Sequence, residues 1–208
     1  MELTWYGLSC FRLNERKHAS VITDPYNGKT GLPALKLKAD VVTVSHDAPG
    51  HNYVSAVSGM QHTLDGPGEY EIGNVFITGI VTKSSAKANN VIFLFDYDGL
   101  KVAHLGDLDK VPSQTELEAL EEVNVLLLPV GGGNSLNAAQ ASELVSMLEP
   151  NIVVPMHYKL PDINLELDEL DRFLKEMGVT DPTEEDSLKI SLTNLPEETE
   201  TVILTPKF

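Results

Sequence analysis

The chain has 208 residues, 42% of them hydrophobic, and a formal net charge of −16 at pH 7. A chain of this length can bury a sizeable core, and we expect one domain that spans residues 1–208. The charge argues against nucleic acid, whose phosphates need Lys and Arg, and against an anionic membrane surface. No apolar run approaches the ~18–20 residues of a membrane span.

The first ten residues and the cysteine content indicate the compartment. Residues 1–10 lack the basic segment and following apolar segment of a secretory signal peptide. Cys10 is the only cysteine, which excludes an intrachain disulfide and agrees with a reducing environment. We therefore expect a cytoplasmic protein whose partner is a small molecule of unknown identity. A homo-oligomer is left open.

Short strands dominate the first half of the chain. Branched and aromatic runs separated by turn residues predict strands at 3–6, 10–13, 20–23, 41–44, 61–64, 75–81, 91–97 and 101–105. The pair Asp98-Gly99 between the last two is a favoured hairpin turn. Residues 53–57 can form a short helix.

The second half alternates helices with strands. Ser113-x-x-Glu116 and Asn137-x-x-Gln140 are typical helix caps, and a third helix is predicted from about 165 to 177, ending at Gly178. Strands are predicted at 124–129, 152–155, 188–192 and 201–204. The strands on either side of the second helix should be parallel, joined by a right-handed crossover. This pattern predicts sheets with helices on the outside.

Histidines are concentrated where predicted strands end. Four of the six histidines, His46, His51, His104 and His157, lie at such junctions, and Asp107 follows a glycine just after another strand. Histidine and aspartate are the usual ligands of a catalytic Zn²⁺. Histidines at strand ends are also common as surface or hydrogen-bonded residues, so the pattern alone leaves both interpretations open.

Several segments in a fixed order resemble one family. They are T-W-Y-G-L-S-C-F-R-L near the start, T-D-P at 23–25, S-H-D-A-P-G-H-N at 45–52, G-P-G-E-Y-E-I-G at 66–73, H-L-G-D-L at 104–108, L-P-V-G-G-G at 128–133 and V-P-M-H-Y-K at 154–159. Together they resemble the metallo-β-lactamase superfamily, in the branch of Zn-dependent hydrolases related to L-ascorbate-6-phosphate lactonase. The resemblance implies an α/β fold, a four-layer αββα sandwich with a cleft at one edge.

The same resemblance implies a two-metal site from which ligands are missing. One metal of such enzymes takes three histidines, and the matching positions here are His46, Ala48 and Ser84. An alanine methyl cannot coordinate, and a serine hydroxyl is a poor zinc ligand. This half of the site should therefore not bind a metal ion.

The other half of the implied site is better preserved. Its positions are Gly50, His51, Asp107 and His157, so three of four ligands remain. Two histidines and one aspartate form a workable set for Zn²⁺, with Fe²⁺ or Mn²⁺ as alternatives. We expect one ion at most, with His46 as an additional ligand, or a remnant pocket without an ion.

Other positions have two interpretations each. Asp24 in T-D-P either hydrogen-bonds a histidine and fixes its tautomer or initiates a turn. Gly131-Gly132-Gly133 either holds an anion or is a plain loop, and the plain loop is favoured. We predict that His104 is a core histidine that supports the site. Leu8 stands where many relatives carry a polar residue.

Two functions follow. The first is a one-metal hydrolase of an unknown ester, lactone or phosphoester, with Asp107 as the catalytic residue and metal ligand. The second is a non-catalytic binding or scaffold protein that retains the fold and the cleft. The missing ligands predict low or absent turnover, and the fold alone does not identify a substrate.

Overall fold

The structure is a computed structural model that describes residues 1–82, 89–120 and 122–208. Its strands are β1 Glu2–Trp5, β2 Phe11–Asn14, β3 Val21–Thr23, β4 Leu37–Lys38, β5 Val41–Thr43, β6 Val57–Ser58, β7 His62–Leu64, β8 Gly68–Ile72, β9 Val75–Thr82, β10 Asn90–Tyr97, β11 Leu100–His104, β12 Val125–Pro129, β13 Ile152–Met156, β14 Thr183–Glu185, β15 Leu188–Lys189 and β16 Glu200–Leu204. Its helices are α1 Gln114–Glu118, α2 Ala138–Leu148 and α3 Leu170–Met177, with 3₁₀ turns at Gly28–Thr30 and Val54–Ala56.

Two large sheets are formed. The six-stranded sheet has the order β15-β1-β2-β3-β5-β7, and the eight-stranded sheet has the order β14-β16-β13-β12-β11-β10-β9-β8. β4 and β6 form a separate parallel pair. β12 and β13 are parallel, as predicted, and Leu126 lies opposite Val153. The hairpin at Asp98-Gly99 is confirmed, since Tyr97 pairs with Leu100 across it.

The two sheets share one hydrophobic core. Leu3 and Trp5 of β1 are fully buried and pack in the same core as Phe93 and Phe95 of β10. Every residue of β12 and β13 is buried, as expected for parallel strands covered on both faces. α1 and α2 lie in the connections between parallel strands of the eight-stranded sheet. The predicted four-layer αββα fold is confirmed.

The predicted boundaries were wrong at two helices and a few strands were missed. The third helix begins at Leu170 and not near 165, because the backbone of Asp168 pairs with Gly131 and Lys159 instead of forming helical hydrogen bonds. α1 ends at Glu118, whereas the sequence predicted a longer helix with an apolar stripe of Leu117, Leu120 and Val123. β4, β6, β8 and β14 were not predicted. None of the helices in the described ranges is long and apolar enough to cross a membrane.

The ends of four strands define one edge of the molecule. β3 and β5 run parallel in one sheet, and β11 and β13 lie on either side of β12 in the parallel part of the other. Polar residues follow the carboxyl end of each of these strands. They are Asp24 after β3, His46 and His51 after β5, Asp107 after β11 and His157 after β13.

Candidate metal centre

His51 is held from behind by a buried aspartate. The loop after β5 turns back on itself, with the His51 amide donating to the Ala48 carbonyl at 2.9 Å. The ring Nδ1 of His51 lies 2.8 Å from Oδ2 of Asp24, which is 0% exposed. Nδ1 must carry a proton to donate to this carboxylate, so a neutral His51 ring has its lone pair on Nε2. The interpretation of Asp24 as a tautomer-fixing residue is the one the structure supports.

His46 is oriented by the same aspartate through a serine. The Ser45 hydroxyl donates to Asp24 Oδ2 at 2.6 Å and lies 3.1 Å from Nδ1 of His46. Since that hydroxyl proton goes to Asp24, the pattern assigns the ring proton of His46 to Nδ1, which donates to Ser45 Oγ. The Nε2 lone pair of His46 is then free on the other side of the ring.

The Nε2 atoms of both rings face the same carboxylate. Nε2 of His51 lies 3.3 Å and Nε2 of His46 lies 3.7 Å from Oδ2 of Asp107. The three ligand atoms lie within 4.8 Å of one another. Donors bonded at about 2.0–2.1 Å to one tetrahedral zinc ion are about 3.3 Å apart. The spacing therefore fits a single ion.

Asp107 is positioned by a tight turn that requires glycine. Gly106 has a φ of +58°, and a Cβ there would lie 2.3 Å from Oδ1 of Asn90 and 2.5 Å from Cβ of Ser45. The same Asn90 oxygen accepts from the Asp107 amide at 3.0 Å. This turn fixes the carboxylate against the histidines.

His157 approaches the other oxygen of that carboxylate. Its Nδ1 lies 3.3 Å from Oδ1 of Asp107 and 3.2 Å from Oγ of Ser9. Its backbone has a φ of +52°, an uncommon conformation for a residue with a side chain, and its amide donates to the Leu8 carbonyl. Gly131 packs so closely on this turn that a Cβ there would lie 2.2 Å from the His157 carbonyl oxygen.

The pKa shifts in this cluster follow from burial and from the charges of two carboxylates among three histidines. Burial lowers the pKa of His51, but Asp107 and Asp24 outweigh burial and raise it to about 10. Burial opposes ionisation of Asp107, yet His157, His51 and His46 hold the pKa of its carboxyl far below the ordinary value. Burial lowers the pKa of both His46 and His157. Two ionised carboxylates thus face the rings, and a proton on His51 neutralises one of them.

An unpaired oxygen supports the fit to a cation. Oδ1 of Asp107 is buried and accepts no hydrogen bond from the described residues, although His157 lies 3.3 Å away. A buried carboxylate oxygen without a donor is costly and calls for an explanation. A divalent ion supplies the missing charge, and imidazole with carboxylate is a donor set that Zn²⁺, Fe²⁺ and Mn²⁺ accept. The residues present therefore fit one metal ion.

The cluster lies at the floor of a cavity of about 540 Å³. Apolar walls are supplied by Ala48, Pro49, Leu165 and Leu167. Lys29 also lines the cavity, so one cation stands near the acidic cluster. The volume is within the range of small-molecule sites.

The structure brings together His46, His51, Asp107 and His157, the four predicted ligands. The geometric group that fits one ion contains the first three, whereas the sequence favoured His157 over His46 as the partner of His51 and Asp107. Which of these two histidines is the third ligand stays a prediction. Ala48 lines the cavity and has no donor atom, and Ser84 lies outside the described residues.

Two other predicted residues have supporting roles or none. His104 is fully buried, its Nε2 donates to the Ser9 carbonyl at 2.8 Å, and its Nδ1 accepts from the Gly106 amide. It therefore links the Asp107 turn to the loop that contacts His157. In the triple-glycine segment, the Gly132 amide donates to the Leu136 carbonyl, as in an ordinary loop.

Three supporting residues were not predicted from the sequence as parts of the site. Ser9 contacts His157, Ser45 links His46 to Asp24, and Asn90 holds the Asp107 turn. Ser45 is part of the Ser-His pair after β5, which is a signal that sequence could have used. Ser9 and Asn90 carry no comparable signal, because their roles depend on loops distant in the chain.

Comparisons with known proteins agree on one family. Residues 2–157 match the model of the beta-lactamase superfamily domain. A UPF0173 protein of Pyrococcus furiosus is 29% identical over 184 residues, covering 76% of this chain and 83% of its own, and a UPF0173 metal-dependent hydrolase of Thermoplasma acidophilum is 29% identical over 195 residues, covering 78% and 85%. A crystal structure from Thermotoga maritima, provisionally assigned as a Zn-dependent hydrolase of the metallo-β-lactamase superfamily, is 33% identical with a TM-score of 0.80 and covers 98% of this chain and 97% of its own.

Proposed function

The chain belongs to the metallo-β-lactamase superfamily, and from this premise we propose that it binds one divalent metal ion and is at most a one-metal hydrolase. The proposed substrate is an ester, a lactone or a phosphoester. The observation that supports this most is that Nε2 of His46 and Nε2 of His51 both face Oδ2 of Asp107, while its other oxygen, Oδ1, is buried without a hydrogen-bond partner among the described residues.

The proposed ligands are His46, His51 and Asp107, with His157 facing the second oxygen of Asp107. Zn²⁺ is the proposed ion, with Fe²⁺ or Mn²⁺ as alternatives. A bound divalent ion acidifies water toward a pKa of about 7 and polarises a carbonyl or phosphoryl oxygen. The protein's own contribution is to orient His51 through Asp24 and His46 through Ser45, and to line part of the cavity with apolar side chains.

The chain is poorly equipped for proton transfer. The pKa of Asp107 is far below its ordinary value because three histidines surround it, so its carboxylate is a weak base. Gly50 stands where the resemblance implies an aspartate, so that carboxylate is missing from the ligand cluster. We therefore expect slow turnover even with the ion bound.

A second candidate, a non-catalytic binding protein, is favoured by the apolar side of the cavity. Leu8 is fully buried beside Gly50, with its Cδ1 in the direction that a side chain at position 50 would take. Ala48 and Pro49 continue this apolar side. A cavity that keeps one ligand cluster but replaces the opposite polar groups suits binding better than rapid hydrolysis.

One experiment separates the two candidates. The protein is reconstituted with Zn²⁺, Mn²⁺ or Fe²⁺ and assayed with p-nitrophenyl esters, homoserine lactones and bis-p-nitrophenyl phosphate, beside Asp107→Asn. Slow metal-dependent turnover that is lost in Asp107→Asn supports the one-metal hydrolase. Bound metal with no turnover above Asp107→Asn supports the binding protein. Rapid turnover that survives in Asp107→Asn contradicts the proposed role of this cluster.

A further inference from the structure

A second cavity of about 450 Å³ lies on the outer face of the six-stranded sheet. Its floor is formed by Glu2 and Thr4 of β1 and by Arg12 of β2, and its walls include Ser187 and Lys207. It shares no lining residue with the metal cavity. Any ligand of this cavity is therefore separate from the proposed hydrolase site.

The cavity follows from the alternation of side chains along β1. Leu3 and Trp5 point into the core, so Glu2 and Thr4 point to the opposite face. Within the described residues 1–82, the only helical segments are two 3₁₀ turns, so this part of the chain supplies no α-helix to the outer face of the sheet. The C-terminal tail forms a wall instead, fixed by the Lys207 amide, which donates to the Trp5 carbonyl at 2.8 Å.

Arg12 is unusual in this acidic protein. Its Nε is buried and has no hydrogen-bond partner, and within the described ranges it forms no ion pair, although the chain has 31 acidic residues. Burial raises the pKa of the Tyr6 hydroxyl, and the charge of the neighbouring Arg12 guanidinium and a hydrogen bond with it partly offset that shift. The Nε–H of Arg12 nevertheless lacks an acceptor, and carboxylate is the geometric match for the guanidinium fork.

Negative charges line the cavity as well. Glu2 accepts a hydrogen bond from the Ser187 hydroxyl at 2.9 Å, and Asp186 precedes that serine in the wall. Glu2 pairs with Asn14 in the strand register, whereas Arg12 pairs with Thr4, so the two charged residues lie diagonally across the strand pair. They form no ion pair with each other. The cavity is therefore lined by two cationic residues, Arg12 and Lys207, and two anionic residues, Glu2 and Asp186, and no ion pair among them occurs in the described residues.

We propose that this cavity binds a small zwitterion with a carboxylate and an ammonium group, such as a free α-amino acid. The carboxylate lies on Arg12 and Lys207, and the ammonium group faces Glu2 and Asp186. A simple anion would meet two carboxylates in the cavity and the net charge of −16 around it. A simple cation would leave the Nε–H of Arg12 without an acceptor.

The test is calorimetric titration of the full chain with each of the twenty L-amino acids at constant ionic strength, with acetate and methylammonium as half-ligands. We expect saturable binding of at least one amino acid and none of either half-ligand at the same concentration. Arg12→Gln should weaken that binding at least tenfold, since hydrogen bonds to charged groups are worth about that factor. Arg16→Gln, an exposed arginine outside the cavity, is the matched control and should bind normally.

A second variant protects the test against misfolding. Glu2→Gln keeps the shape of the side chain and should weaken the amino acid at least fivefold while leaving the melting temperature near that of the wild type. Absence of saturable binding by all twenty amino acids overturns the proposal. Acetate binding as tightly as the amino acid also overturns it, because the cavity would then be a plain oxyanion site. Equal weakening by Arg12→Gln and Arg16→Gln overturns it as well.

Discussion

In one part of the metal cavity, His46, His51 and Asp107 converge, and the fully buried Asp24 hydrogen-bonds His51 directly and contacts His46 through Ser45. In the same cavity, Ala48 and Gly50 offer no ligand, and the apolar Leu8 lies beside Gly50. The difference between the two groups lies in their hydrogen bonds to the rest of the fold. A carboxylate buried like Asp24 must keep its partners, since an unpaired buried charge costs several kcal/mol.

This comparison shows which residues of the cavity are tied to the fold by hydrogen bonds. Ala48 and Gly50 have no side-chain hydrogen-bonding group. His51 and Ser45 both donate to the buried Asp24, so removal of either would leave a buried carboxylate with fewer partners. His51 and Ser45 therefore contribute to stability independently of any metal.

The largest expected change comes from placing ligand side chains at positions 48, 50 and 84. The triple variant Ala48→His, Gly50→Asp and Ser84→His should raise the metal content from about one to about two ions per chain. Position 50 has space, since a Cβ there meets only Leu8 Cδ1 at 3.8 Å, while position 84 lies outside the described residues. Elemental analysis after dialysis measures the change. A triple variant that still takes up one ion would contradict the prediction that these three positions complete a second metal site.

Removal of the central carboxylate should have the next largest effect. Asp107→Asn keeps the shape but replaces an anionic oxygen donor, so we expect metal affinity to fall by more than about 100-fold, the upper value for residues that only support a ligand. Competition with a fluorescent chelator measures the affinity. The matched control is Asp65→Asn, an exposed aspartate that does not line the cavity. Equal affinities of Asp107→Asn and the wild type would place the ion elsewhere.

A comparison of His46 with His157 tests which of them is the third metal ligand. Because the geometric group contains His46 and not His157, we expect His46→Ala to weaken metal binding more than His157→Ala. His62, exposed on β7, is the control position for a simple loss of imidazole. The same competition assay ranks the three variants. A larger loss in His157→Ala would instead support the ligand set that the sequence favoured.

A smaller effect on metal affinity is expected from substitution of Asp24, which supports the ligands. Asp24→Asn should lower metal affinity by about 10–100-fold, because Nδ1 of His51 loses the carboxylate that fixes its tautomer. It should also destabilise the metal-free protein by about 3–5 kcal/mol, since the buried pair with His51 is broken. Urea unfolding of the metal-free protein and the chelator assay report the two effects separately. A loss of stability with unchanged affinity would make Asp24 a purely structural residue.

Much of this site was predictable because strand ends obey a simple rule. Residues after parallel strands meet at one edge, so the order of His46, His51, Asp107 and His157 along the chain was enough to bring them together. The sequence alone does not decide between His46 and His157 as the third ligand, since the choice depends on ring orientations, and Ser45 contacts the ring of His46. Such orientations have no signal in periodicity or spacing.

The errors in the fold have similar physical causes. Apolar residues continue the helical period from Leu165 to Leu170, yet the backbone of Asp168 pairs with Gly131 and Lys159 across the cavity loops. Tertiary hydrogen bonds therefore overrode the helical pattern. β8 was missed because Gly68 and the glycines around it resemble a loop, although the strand pairs with β9 over five residues.

The central claim is that the cluster of His46, His51 and Asp107 holds one ion and that the cavity holds no second ion. The most direct measurement is a crystal structure of the wild-type protein grown with Zn²⁺ or Mn²⁺, with anomalous data collected at the metal edge. The prediction is a single anomalous peak per chain at about 2.0–2.2 Å from Nε2 of His51 and from a carboxylate oxygen of Asp107. Two peaks in the cavity, or a chain without a peak there, would contradict it.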